Sequence, residues 1–183
     1  ISLLNISMSP SEYITEQLML AHSKEQCDHV WQWVGDDPAR FEGFMEVYFG
    51  QNPVLRQRAA GVLGRFGRRQ ASLLEKHLPA LIAELDQDVH PALIRNTMRL
   101  FQSIDVPASL SMALMEKGFA MIENPQQPVA IRAFSMTVLE RLIAPYPELQ
   151  RELALIVEAH MPEASAAFRV RGRDYLKRMR KKA

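Results

Sequence analysis

Arginine is the residue through which this chain offers most chemistry, because its planar, permanently charged fork of N–H donors fits carboxylates and phosphates. Arg56, Arg95, Arg132 and Arg169 recur at intervals of 39, 37 and 37 residues, each near the start of an apolar-periodic segment. Around them stand Arg58, Arg65, Arg68 and Arg69, then Arg99, Arg141, Arg171, Arg173 and Arg178. The other reactive types are scattered. The histidines, His22, His29, His77, His90 and His160, form no i, i+4 pair, and without HExxH or a Cys–His spacing the sequence supplies no metal site. His90 and His160 lie beside Pro91 and Pro162 and read as helix-terminal residues. Cys27 shares an apolar face with Val30 and Trp31, has no cationic neighbour in sequence, and reads as a packing thiol. Gly61, Gly64 and Gly67 follow no phosphate-loop pattern; they read as room for a neighbouring helix, Gly64 also as a helix stop. Asp36 and Asp37 read as caps. No catalytic set converges, and no cofactor motif is found.

Composition sets the frame for these residues. A chain of 183 residues, 48% hydrophobic and 23% charged, has enough apolar content for one sizeable core or a short stack of repeats. The formal charge of +1 conceals an asymmetry, because Phe168 to Ala183 holds eight basic residues and one acid, leaving 14 Lys+Arg against 20 Asp+Glu elsewhere. Cys27 is the only cysteine, so no intramolecular disulfide forms and a reducing, cytoplasmic setting is expected. The opening ISLLNISMSP has neither a basic leader nor an apolar run suited to a signal or a membrane span. Asn5-Ile6-Ser7 matches the glycosylation triplet, with nothing else in the sequence to support it.

Helices must position these groups, and prolines and small polar residues mark where the helices begin. Ser9-Pro10 with Glu12 opens a first helix, with Tyr13, Leu18, Leu20 and Ala21 as its apolar face. Ser23 with Gln26 has the form of a capping box before Cys27, Val30, Trp31 and Val34, and Gly35 closes that helix. Asp36-Asp37-Pro38 starts a third. From there one i, i+4, i+7, i+8 template returns: Phe41-Met45-Tyr48-Phe49, Leu74-Leu78-Leu81-Ile82, Leu114-Gly118-Met121-Ile122 and Leu149-Leu153-Ile156-Val157. A polar break and a second helix follow each set, predicted over Pro53–Arg65, Pro91–Ile104, Pro128–Leu142 and Ala164–Lys181. In the last of these Phe168, Gly172, Tyr175, Leu176 and Met179 make the apolar stripe, while Arg180, Lys181 and Lys182 join the arginines in water.

Helix pairs repeated at this period, without strand-like alternation, indicate an α-solenoid, since one pair alone cannot bury its apolar flank. The stretches LPALIAELDQDVHPALIR and NPVLRQRAAGVLGRF resemble HEAT repeats. The expected fold is all-α, a right-handed α-α superhelix of about four hairpins at 38–68, 71–105, 108–143 and 147–182, with capping helices over 10–34, in one domain spanning 1–183. More narrowly, HPALIRNTMRLFQ, PVAIRAFSMTVL, YPELQREL and FRVRGRDYLKR are similar to a small bacterial group of HEAT-like proteins without assigned activity, some labelled adenylosuccinate lyase. The Gly-Ser-Ser loop and Met-Pro-Lys-Asn segment of such lyases do not occur in this chain.

What the resemblance implies for the arginines divides them in two. A hydrogen-bonded ladder between repeats is implied for Asp88 with Arg56, Arg95, Arg132 and Arg169, although Asn52 and Asn124 stand where an acid is usual. The second helices of a HEAT stack line its inner side, so Arg58, Arg99, Arg141, Arg171, Arg173 and Arg178 would form a basic stripe contacting an anionic partner. An unidentified protein is the partner expected first and nucleic acid the alternative. The HEAT-like DNA glycosylases place aromatic and acidic groups around the nucleotide, whereas here the tryptophans, Trp31 and Trp33, stand near the N-terminus. A non-enzymatic scaffold is therefore the expected role.

Overall fold

The computed structural model describes residues 8–182, with side chains to Lys181; the Asn5 triplet lies outside them. Among the described residues every regular element is helical. Prolines open most of these elements. Pro10, Pro38, Pro53, Pro91 and Pro147 sit in the first turns of α1 (Pro10–Leu20), α3 (Pro38–Tyr48), α4 (Pro53–Leu63), α7 (Pro91–Phe101) and α10 (Pro147–His160), where a missing N–H costs nothing. Pro107 and Pro128 immediately precede α8 (Ala108–Glu123) and α9 (Val129–Leu142).

Side-chain caps complete the starts. Ser9 and Glu12 form a reciprocal capping box on α1. Ser23 caps α2 (Lys24–Val34) by accepting from the Gln26 N–H, but the Gln26 side chain turns instead to the Gln17 carbonyl at 2.8 Å, so only half of that box forms. Asp37, Asn52 and the His90 Nδ1 cap α3, α4 and α7.

The chain divides into two compact units, Ile1–His77 and Leu78–Ala183. In the first unit α3 packs on α1 and α4 on α2. Ile14 and Leu18 carry the buried face of α1, while Leu20, read from the sequence as apolar-facing, is 72% exposed. Phe66, just past α4, meets Phe41 and Phe44 edge-on at 5.1 Å each. The unit continues through a short α5 (Ala71–Leu74) and a 3₁₀ turn over Glu75–His77.

The template residues Leu74, Leu78, Leu81 and Ile82 are all buried, yet the helix expected to carry them is interrupted. Pro79 has no N–H to give the Glu75 carbonyl, so the backbone tightens into 3₁₀ before α6 (Leu78–Glu84) begins. In the second unit α8 packs on α6 and α10 on α8, while α9 packs on α7 and α11 (Ala166–Lys182) on α9. First helices thus stack on first helices and second on second. Met115, Ile122, Leu139, Leu153, Val157, Phe168 and Tyr175 form the core between the later pairs.

Two of the glycines illustrate how closely helices approach. Gly118, the only departure from the apolar template, lies against Leu139, which a Cβ would meet at 3.0 Å. A Cβ on Gly43 would come within 2.6 Å of the Pro10 Cβ and 2.8 Å of the Ser11 backbone nitrogen, so α1 rests on α3 through that gap. Of the sequence-predicted close approaches, Gly61 faces the Cys27 Sγ, and Gly64 ends α4. Gly43→Ala gains about 1 kcal/mol of helix propensity but drives a methyl into backbone. A net loss of about 1–3 kcal/mol is expected from this overpacking, measured by urea unfolding; unchanged or raised stability would show that α1 does not seat there.

Candidate interaction surface

A helix leaves its last carbonyls without intrahelical partners, and α1, α2, α3, α4 and α8 carry no basic residue in their own last turns. Arginines from outside each helix supply donors for all five, Arg65 reaching back from just past α4 to the Gly61 carbonyl. Arg58 donates to the Leu18 carbonyl of α1 at 2.7 Å and Arg40 to the Trp33 carbonyl of α2 at 2.8 Å. Arg56 reaches the Tyr48 carbonyl at the end of α3 at 3.1 Å, and Arg132 grips the Ile122 carbonyl of α8 through Nε and Nη2 at 3.0 and 2.9 Å. Arg141 does the same for the end of α7, donating to the carbonyls of Phe101 and Ile104 and pairing with Asp105.

Ion pairs add a second set of ties, and their spacing is the repeat itself. Arg65 pairs with Asp28, Arg69 with Asp36, Lys117 with Asp86, Arg141 with Asp105 and Arg178 with Glu140, at separations of 37, 33, 31, 36 and 38 residues. Each basic residue therefore reaches back about one helix pair. Arg178 binds Glu140 through both guanidinium edges at 2.6 and 2.7 Å, a bidentate geometry.

The residues assigned to the ladder from the sequence fall into two groups. Arg56 and Arg132 bond the end of the preceding helix, whereas Arg95, Arg169 and Asp88 are exposed. Arg132 is buried, lies over the Phe168 ring at 4.6 Å, and has its guanidinium pKa pulled below the ordinary value by desolvation. The residues assigned to the partner stripe divide as well. Arg58, Arg141 and Arg171 are half-buried and hold internal bonds, Arg178 is paired, and Arg99 and Arg173 stand exposed. Asp28, Glu140 and Arg40 were not singled out from the sequence. An acid 31–38 residues ahead of a basic residue is the signal that finds the first two.

Arg171 organises a face of the second unit. It leaves α11 to donate to the Ala133 carbonyl at 2.9 Å and the Thr137 hydroxyl at 2.7 Å on α9, then to the Gln102 side chain at the end of α7 at 3.2 Å, with Phe134 5.2 Å beneath it. One guanidinium thus ties three successive second helices. Arg99 lies one turn before Gln102, and Arg95 one turn further back, both exposed and without a partner among the described residues.

Elsewhere, a cleft of about 530 Å³ in the first unit is lined by Pro38, Glu42, Ser72, Leu73, Glu75 and Lys76. One of its two acids is already engaged: burial pushes Glu42 upward, but bonds from Lys76 at 2.8 Å and His77 at 3.2 Å outweigh that and hold it below the usual carboxylate range. Trp33 stacks on Tyr13 at 4.2 Å and carries the Arg40 guanidinium over its ring. No group of three or more His, Cys, Asp or Glu side chains suited to a metal ion occurs among the described residues, and no helix there is long and apolar enough to cross a membrane.

Helix pairs stacked like on like, with cross-ties at the repeat period, define an α-helical repeat protein. The family model described as a HEAT repeat domain matches residues 14–179, and the chain belongs to that family. No curated protein and no solved structure matches it.

Two expectations test these ties. Arg132→Ala should cost about 1.5–3 kcal/mol, the scale of a buried bond from a charged donor, while Arg95→Ala, at the equivalent place one repeat earlier, should stay within about 0.5 kcal/mol; equal losses in chemical denaturation would refute the distinction. The hydrogen bond from Arg65 holds Asp28 below its ordinary value, and Arg69 does so for Asp36. A depressed folded pKa gives stability that is present above the unfolded value of about 3.9 and lost as pH falls through the folded one. The gap in melting temperature between the native chain and Asp28→Asn should therefore narrow below about pH 4. A gap constant from pH 7 to 3 would show the pair contributes nothing.

Proposed function

We propose that this HEAT-repeat chain is a non-catalytic scaffold that binds an acidic protein segment on the second-helix face of its second unit. The observation that carries the reading is the contrast between Arg171, fixed across α7, α9 and α11, and the neighbouring Arg95 and Arg99, which project from the same side of α7 without internal partners. A rigid floor with free guanidinium forks suits carboxylates presented by an extended or helical segment. Arg173 lies two residues from Arg171, hence on another flank of α11, and serves a different surface. The buried, free thiol of Cys27 fits a reducing compartment such as the cytoplasm. The resemblance to bacterial HEAT-like proteins without assigned activity is consistent with this role, and no lyase site is carried over.

The test is affinity capture with nuclease-treated extracts. Arg99→Glu should lose the captured protein without a change in melting temperature, whereas Arg141→Glu should lower the melting temperature because that guanidinium holds the end of α7. Retained capture by Arg99→Glu would remove this face from the account.

One observation favours a second reading. Arg169, Arg173, Lys177, Arg180 and Lys181 are all exposed on α11, a density of cations able to follow a phosphate backbone. That reading requires retardation of nucleic acid in a gel at about 50 mM salt, falling steeply by about 200 mM; no retardation at the lower salt ends it.

A further inference from the structure

The surfaces at the two ends of the described chain match one another in shape of pattern and oppose one another in charge. On α10 and α11 a groove of about 340 Å³ has an apolar floor that includes Leu155, Leu176 and Met179, with Arg151 and Arg180 on its rim. Leu155 is 67% exposed, a large apolar side chain to leave in water. Of the α10 residues lining the groove, Ala154 falls at a stacked position of the pair before, whereas Arg151, Leu155 and Glu158 fall at Glu116, Ala120 and Glu123 of α8, which are exposed. Thirty-five residues before Ala154, which lines it, the template register places Phe119 of α8, and that ring is packed into the core shared with α10.

On α1 the outward stripe is Glu12, Glu16, Met19 and Leu20, at i, i+4, i+7 and i+8, with Met8 just ahead of the helix. Met8, Met19 and Leu20 are 47%, 52% and 72% exposed. Glu12 is held by the Ser9 cap, which leaves Glu16 as the acid of the stripe free to meet a cation. The groove also carries one acid, Glu158, so the complement to the α1 stripe is specific: Glu16 beside Met19 and Leu20 on one side, Arg180 and Arg151 beside Leu155, Leu176 and Met179 on the other.

We propose that the α1 stripe of one molecule docks in the α10–α11 groove of a second copy. Met19 and Leu20 cover Leu155, Leu176 and Met179, and Glu16 faces Arg180. Two different surfaces meet in this contact, so it is a heterologous one. The patch is small, at the low end of specific interfaces, so the contact is weak. It is separate from the partner-binding face on α7 and α9.

Sedimentation velocity on the full chain, from about 10 μM to about 1 mM, spans the affinities such an interface supports. The average mass should rise above that of the monomer with concentration and fall with added salt. Leu155→Glu, Glu16→Arg and Arg180→Glu should each be monomeric while keeping the native melting temperature, since all three positions are exposed. Mixing Glu16→Arg with Arg180→Glu restores an opposite-charge pair at every contact and should restore association. A chain that stays monomeric throughout, variants that associate as the native chain does, or a mixture that remains monomeric would each overturn the proposal.

Discussion

The unsatisfied carbonyls at helix ends are the constraint on which the arrangement of this chain depends. Where pairs of helices stack, those ends approach neighbouring helices, and a buried carbonyl without a donor costs about 1–3 kcal/mol. The chain answers with arginine: long enough to reach from one helix to the next, and forked so that one side chain can serve two oxygens, as Arg141 does for Phe101 and Ile104. The cation also sits at the negative end of the helix dipole. Of the arginines that recur near second-helix starts, Arg56 and Arg132 serve such an end, whereas Arg95 and Arg169 stay exposed.

The fold was largely legible because its signal is apolar spacing. The template sets lie in the interior, and prolines with Ser, Asp and Asn announce the helix starts. Pro79 was the local signal passed over: the stripe Leu74-Leu78-Leu81-Ile82 has the right period, yet periodicity alone says nothing of a missing backbone donor within it. The arginines were less legible for a different reason. Arg95 and Arg132 occupy equivalent positions, yet only Arg132 finds a carbonyl. The 16-residue α8 runs unbroken to its end, bringing the Ile122 oxygen within reach, whereas α6 has only seven residues after the break and ends in a loose turn. In α7 the buried polar role passes instead to Asn96, which bonds the Ala92 carbonyl at 2.8 Å. Position in a repeat specifies which way a side chain leaves the helix; the partner it meets depends on the length of another element.

The same reasoning separates structural charge from available charge. Arg58, Arg65, Arg132, Arg141, Arg171 and Arg178 have internal partners, and replacing any of them would perturb folding and surface potential together. Their positive charge is largely offset at short range by Asp28, Asp105, Glu140 and helix-end dipoles, so it contributes little field beyond a Debye length. What remains for an external partner is the remainder: Arg95 and Arg99 on α7, and the exposed cations of α11.

That remainder is arranged unevenly, which bears on specificity. On α7 the two free guanidinium groups stand beside a face locked by Arg171, so the surface beneath them is already ordered and only Arg95 and Arg99 have rotamer freedom left to lose. On α11 the cations project from one solvated helix with only Asp174 among them, an arrangement that draws any polyanion and discriminates poorly. In the function we propose, the selective contact therefore belongs to the α7 side of the second unit, with the basic helix adding long-range attraction that does not choose among partners. Division of the charge between a pair beside the fixed Arg171 and a diffuse array on α11 follows from the same requirement that occupies the other arginines, since only those not needed at a helix end are left in solvent.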